Sequence, residues 1–286
     1  MDSIAYIADV NGYGLVVFDL ARQTSWRVEH NFFYPFPNHG TMTVAGVTFD
    51  LMDGVFGLAL GPGDPVNRKL YFHSLASLRE VSVPVGVLKN TTLVGNAEVL
   101  RHQLQLSDEG RYGQSSLEVM TDDGILLFSD LPKLAIMCWN SNTKFDKKNI
   151  HVAYQNNEDL QFVSGMKLKR NKSLVITTSR LQNYIAGILN GTDVKYRMII
   201  IDDVHELLKG SPCKDPYAAS RPSGGQRPYS PPHNTYDQHG GSYGSQYGQN
   251  SNQYGVDERF DSSRPKTTSP KPLWNNRQTT SKKFIL

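Results

Sequence analysis

Short runs of alternating apolar and polar residues, broken by turn residues, fill most of the first 213 positions. Four pairs of runs read as β-hairpins. IAYIADV and LVVFDL flank NGYG, VFGLALGP and KLYFHSL flank GDPVNR, LEVM and ILLF flank TDDG, and FVSGMKL and SLVITTS flank KRNK. Gly, Asn and Asp supply the positive φ that tight hairpin turns need. The first run of each pair carries small residues: Ala8, Gly57 with Ala59, Ser115 with Ser116, and Gly165. The second is richer in aliphatic and aromatic residues. A third strand is predicted after each pair, in TSWRVEH, LREVSVP, KLAIMCWN and NYIAGIL. No convincing amphipathic helix is evident, and VHELLK (204–209) is at most a short one.

The units recur at roughly 50–60 residues, the spacing of propeller blades. Small residues on first strands fit inner strands crowded around a central channel. The predicted class is therefore all-β, a β-propeller with about four blades' worth of sequence in 1–213. From 214 to 286 the pattern stops. SRPSGGQRPYSPPHNTYDQHGGSYGSQYGQNSNQYG is rich in Gly, Ser, Gln, Pro and Tyr and almost empty of aliphatics. Such a segment cannot bury enough apolar surface to offset its ordering entropy, so a disordered tail is predicted. Its spaced tyrosines (Tyr229, Tyr236, Tyr243, Tyr247, Tyr254) make it a solvated tether, or a region for self-association, oxidative cross-linking or contact with extracellular matrix.

Composition adds exclusions. A net charge of +3 on 286 residues does not argue for a nucleic-acid partner. No apolar run approaches the ~20 residues of a membrane span. MDSIAYIADVNGYG is not a signal peptide, because it lacks a basic start and Asp9, Asn11 and Gly12 interrupt it. Two cysteines, Cys138 and Cys213, make one disulfide or none, and composition leaves this open.

Strong catalytic motifs are missing: there is no HExxH, CxxC or Walker loop, and no cofactor or metal site is read. GGSYG (240–244) matches GxSxG but lies in the tail, without the strand-to-helix turn that a nucleophile elbow needs. Asp122 and Asp123 beside Gly124 read as turn residues. His73 and His151 have no partner at ligand spacing and read as packed or surface histidines. A propeller's ligand site normally lies at the mouth of its channel. The candidates there are Gln114, Ser115, Ser116 and Glu118 from one blade, with Phe162 and Ser164 from the next. Phe162 would stack on an aromatic ligand and Glu118 would pair with an amine. The alternative is that all six simply fill the channel.

Several segments, in order, resemble the yellow/major royal jelly protein family of insects. They are AYIADVNGYGLVVFDL (5–20), DGVFGLALGP (53–62), LYFHSLASLREVSVPVGVLKN (70–90), GQSSLEVMTDDGILLF (113–128), CWNS (138–141) and SGMKL with TSRLQNYIAGILN within 164–190. The resemblance implies a six-bladed propeller preceded by a secretion signal, of which this chain would lack the first third. It implies a secreted protein of the pigmentation, melanin or cuticle pathway. Its ligand would be a small aromatic amine or catechol held in the channel, since relatives in biting-fly saliva bind biogenic amines there. Dopachrome conversion, with Glu118 as a low-ranked acid/base candidate, and a structural role in cuticle or eggshell are the alternatives. For a secreted protein, a Cys138–Cys213 disulfide is expected. Asn90, Asn171 and Asn190 would then be glycosylation acceptors.

Overall fold

The alternating runs form strands because each places one face against a neighbouring sheet. β6 (Val55–Leu60) alternates buried and half-buried residues at every position. A computed structural model of the chain describes residues 3–215 and 281–285, the last five as backbone. All of these fall in one unit made of 1–222 and 279–286, while a second unit, 223–278, lies outside the described residues.

Five small antiparallel sheets account for the strands. The first holds β1 (Ile4–Asp9), β2 (Gly14–Asp19) and β3 (Thr24–Glu29). A two-stranded hairpin, β4 (Thr41–Val44) with β5 (Val47–Asp50), turns through Ala45 and Gly46, both at positive φ. The third sheet runs β6, β7 (Lys69–Ser74), β8 (Val81–Pro84) and β9 (Gln105–Leu106). Between β8 and β9 lie three short helices, α1 (Val85–Leu88), α2 (Thr91–Val94) and α3 (Ala97–Gln103). Asn90 and Asn96 cap α2 and α3 by accepting from the backbone N–H groups of the first turn. The fourth sheet runs β10 (Glu118–Met120), β11 (Ile125–Asp130), β12 (Ala135–Asn140) and β13 (Ile150–Gln155). The fifth holds β14 (Phe162–Lys169), β15 (Ser173–Ser179), β16 (Tyr196–Ile201) and β17 (Ser281–Ile285).

The four hairpins read from the sequence are β1–β2, β6–β7, β10–β11 and β14–β15. The first strand of each of these sheets lies beside the first strand of the next: β1 by β6, β6 by β10, β10 by β14. Apolar clusters fill the seams. One joins the first and third sheets through Leu15, Val17, Phe33 and Phe72, with Phe33 and Phe72 stacked at 4.7 Å. Another joins the fourth and fifth through Leu127, Cys138, Ile176 and Ile199. Every residue of β11 and β12 is buried, because both faces of the fourth sheet are covered. Each large apolar side chain so enclosed contributes roughly 1.5–3 kcal/mol.

Three expectations change. NYIAGIL is not a third strand. Leu181–Ile185 forms the short helix α4, and Gly187 at φ 68° ends that turn. Tyr184, Ile185 and Ile188 are left exposed, and β16 takes the third-strand place. The helices α1–α3 and the β4–β5 hairpin were also not anticipated, which is why the apparent repeat is uneven. The tail predicted as disordered over 214–286 lies outside the described residues except at its two ends. Of these, Ser281–Ile285 is a strand paired with β16 rather than unstructured chain. VHELLK does contain a short helix, α5 (Val204–Leu208), capped by Asp203.

Cys138 on β12 is bonded to Cys213, 75 residues on, and both are buried in the seam of the last two sheets. Asn140 donates to the Cys213 carbonyl at 2.7 Å and holds the same connection. Closing a loop of this length removes chain entropy from the unfolded state worth about 4 kcal/mol. Cys213→Ser is therefore expected to lower the unfolding free energy in urea by roughly that amount. Reduction of the wild type should reproduce the loss, and equal stability with and without reductant would contradict it.

Candidate functional site

Where the third and fourth sheets meet, four ionisable side chains are buried together: His73, Glu80, Arg111 and Glu118. β7 carries His73 into the seam. The turn before β8 brings Glu80, the loop between β9 and β10 brings Arg111, and Glu118 opens β10. Gly57, paired with His73 across β6–β7, allows the approach. A Cβ there would stand 3.1 Å from the imidazole and 3.2 Å from Glu118 Cγ, tighter than normal packing.

His73 Nδ1 lies 3.1 Å from Glu80 Oε2 and 3.1 Å from Glu118 Oε2. Its Nε2 lies 3.1 Å from the Ser115 carbonyl oxygen. Both ring nitrogens therefore face acceptors, the environment of an imidazolium with two N–H donors. Arg111 donates to Glu80 Oε2 at 2.6 Å and to the Ser77 carbonyl at 3.0 Å. Two cations and two carboxylates balance in charge, as burial demands. Among the described residues, Glu118 Oε1 and Glu80 Oε1 have no hydrogen-bond partner, and Glu118 Oε2 meets only the His73 ring. Burial opposes a charge on His73, as does the Arg111 guanidinium, but the Glu118 and Glu80 carboxylates outweigh them and raise the imidazole above its ordinary value. Burial, followed by the Glu118 charge, pushes Glu80 up to about 7. Burial lowers Arg111.

His73, Glu80 and Glu118 also offer one nitrogen and two carboxylates within 4.8 Å of one another, a donor set that could hold a metal ion. The guanidinium already seated on Glu80 Oε2 favours an ion-pair network, since a metal there would meet a second cation.

Beside the network, a cleft of about 250 Å³ opens between the third and fourth sheets. Tyr71, Trp139 and Phe145 line it, packed edge to face, and Glu80 is its least exposed charged residue. Lys69, bonded to Gln105 at 2.8 Å, and the Lys144–Asp108 pair at 3.0 Å stand at the rim.

The six channel candidates do not share one open surface. Gln114 donates to the carbonyls of His39 and Thr41, 3.0 Å each, and so fastens the β4–β5 hairpin. Ser115 and Ser116 are fully buried. The Ser116 hydroxyl donates to the Val163 carbonyl at 2.6 Å and meets Ser129 Oγ at 3.0 Å, while Ser115 meets Ser129 at 3.3 Å. Phe162 is buried among Met42, Val44, Phe49 and Leu75, so its ring packs in the core. Ser164 is exposed and reaches the Thr177 carbonyl at 3.4 Å. Glu118 alone of the six belongs to the charged network. Asp122 and Asp123 occupy the β10–β11 turn, with Asp123 paired to Lys214. His151 is half-buried on β13 and held below its ordinary value by burial. Asn90 and Asn190 are exposed, whereas half-buried Asn171 accepts from the Asp122 N–H at 2.9 Å.

A family model described as Major royal jelly protein matches residues 1–213. The chain belongs to the major royal jelly protein family. It is 29% identical over 219 residues to "Dopaminechrome tautomerase" of Drosophila melanogaster, covering 74% of this chain and 47% of the relative. It is 30% identical over 241 residues to "Protein yellow" of Drosophila yakuba, covering 81% and 44%. It therefore spans about half the length of the curated relatives it matches. Among solved structures, the calcium-binding protein regucalcin of Agrobacterium tumefaciens aligns with a TM-score of 0.30 at 15% identity, covering 63% of this chain and 66% of that one.

Within this royal jelly family chain, the network escaped sequence reading because its members follow no motif. His73 and Glu80 are 7 residues apart, and Glu80 and Arg111 are 31 apart. The reading of His73 as having no partner is corrected by the fold, which brings partners from distant turns. The available signal was a histidine and a glutamate, in LYFHSL and LEVM, at positions whose strand neighbours are apolar.

The network carries a pH dependence. His73 has a folded pKa above its ordinary 6.5, so its contribution is complete below that value and is lost as pH rises through the folded one. Folded Glu80 keeps a proton that the unfolded chain gives up near its ordinary 4.5, so stability also falls as pH climbs from there through about 7. The thermal midpoint is expected to drop by several degrees between about pH 5 and about pH 8. Glu80→Gln should flatten that slope, and a variant with the wild-type slope would contradict the assignment.

Proposed function

We propose that this chain comes from a secreted yellow-type protein of insect pigment or cuticle chemistry, and that it isomerises a small catechol-derived aromatic by proton transfer. The observation that carries this reading is Glu80, a carboxyl raised to about 7 beside an imidazolium and at the edge of an aromatic-lined cleft. Buried acid/base groups matched to neutral pH are a mark of proton-transfer sites. A tautomerase moves a proton within one molecule and needs no oxidant, so such groups suffice. One relative carries the name dopaminechrome tautomerase. Secretion is supported by the buried Cys138–Cys213 bond, since disulfides persist in oxidising compartments. Asn90 and Asn190 are then the more accessible glycan acceptors. A propeller is supported by first strands that succeed one another side by side, and six blades in the whole protein are what the family resemblance implies.

The second reading is binding of an aromatic amine or catechol without turnover. It is favoured by the cleft's aromatic walls, with Glu80 as counter-ion to an amine. A structural role through the tail concerns residues outside those described.

Purified full chain should accelerate the spectrophotometric loss of dopaminechrome over buffer by at least 100-fold, the scale of general acid–base catalysis. Saturable dopamine binding by calorimetry without such acceleration would leave the second reading. Neither activity nor binding would remove both.

A further inference from the structure

The fifth sheet is completed on its outer side by a strand from the far end of the chain. β17 pairs antiparallel with β16, from Ser281 opposite Ile201 to Ile285 opposite Arg197. Without it, β16 would be an edge strand carrying Met198, Ile199, Ile200 and Ile201 in succession. An apolar edge of this kind is a ready template for another strand. β17 suits the outermost place, because it carries Lys282 and Lys283, and lysines on an edge discourage further pairing.

The connection that delivers β17 is far longer than its span. Lys214, near its start, pairs with Asp123 in the β10–β11 turn. Asp122 of that turn donates its N–H to Asn171 of the β14–β15 turn at 2.9 Å. From there Leu174 pairs with Ile201, and Ile201 with Ser281. Two strand spacings, about 10 Å, thus separate Leu174 from Ser281. Both ends of the connection lie by adjoining turns, at the same end of the fourth and fifth sheets. Far fewer residues would join them than the 65 that lie between Asp215 and Ser281. A chain of that length reaches roughly 200 Å when fully extended. A folded unit of this size has a radius of gyration of only about 17 Å. The β16 edge of a neighbouring copy is therefore within reach of the same strand.

We propose that the β16 edge is a docking site between copies of this chain, where the C-terminal strand of a second copy takes the place of β17. The exchanged strand makes the ladder that β17 makes within one chain, so the same backbone hydrogen bonds are lost and regained. Concentration decides between the two. A strand on so long a connection competes at an effective concentration of about 1 mM. Dilute copies close on themselves, and copies crowded to that level link through their C-terminal strands. Reciprocal exchange gives a closed pair, and one-way exchange gives an open chain of copies. This surface is separate from the charged network and the cleft, and it stands whether or not the chain isomerises anything.

Two full-chain variants test it: Ile200→Cys on β16 and Lys282→Cys on β17, which are partners in the β16–β17 register. Mixed at about 1 mM and treated with a short bis-maleimide, they should give a covalent heterodimer whose yield falls at least tenfold at about 10 µM. Excess synthetic SKKFIL, the sequence of residues 281–286, should suppress it. A chain carrying both cysteines should crosslink within itself at the lower concentration. Absence of heterodimer at the higher concentration, while the double variant crosslinks internally, would overturn the proposal. So would a heterodimer that the peptide leaves undiminished, since the copies would then meet through another surface. A double variant that never crosslinks would show that the β16 edge does not hold this strand, and the proposal would fall with it.

Discussion

Charge burial at the meeting of β6, β7 and β10 is the constraint on which the rest of this structure turns. Taking a single carboxylate out of water costs several kcal/mol, and four ionisable groups are enclosed here. They are tolerable because each has an opposite charge within about 3 Å, and because Gly57 leaves room for them. Removing any one partner leaves its neighbour as an uncompensated buried charge, typically worth 3–5 kcal/mol. The network therefore fixes how the third and fourth sheets meet. A shift by one residue along β10 would turn Glu118 to the other face and replace it with an apolar side chain.

The seam on the other side of the fourth sheet is built differently. Leu127, Ile136 and Ile176 meet there without charge, and a covalent bond, Cys138–Cys213, ties the end of the described N-terminal segment back to β12. Both seams are packed with apolar side chains, but the charged network is added to one and the crosslink to the other. Apolar packing is indifferent to pH, whereas the network is not. A change of protonation acts on one seam only, the seam that borders the aromatic cleft.

What could be read in the sequence follows from the range of the interactions that determine it. The hairpins were legible because alternation and Asp-Gly or Asn-Gly turns are local. Gly124 takes φ 79°, as such a turn requires. NYIAGIL was misread because a run of apolar residues too short for a clear period fits either element, and exposure rather than propensity decided it. Glu118 was recognised as chemically interesting, but its partners were not, since His73, Glu80 and Arg111 are assembled by pairing between sheets. Phe162 shows the converse. An aromatic at a strand start reads equally as a ligand platform or as core, and packing against the β4–β5 hairpin made it core.

The division of labour within the network bears on what it is for. A purely structural ion-pair cluster is most stable when every oxygen has a donor, and replacing such clusters by apolar residues is often neutral or stabilising. Here Glu80 Oε1 and Glu118 Oε1 have no donor among the described residues, and Glu80 borders a cleft. A fold under selection for stability alone would satisfy or delete these atoms. Retaining an enclosed acid that burial and the Glu118 charge push up to about 7 is the compromise expected where stability is given up for reactivity.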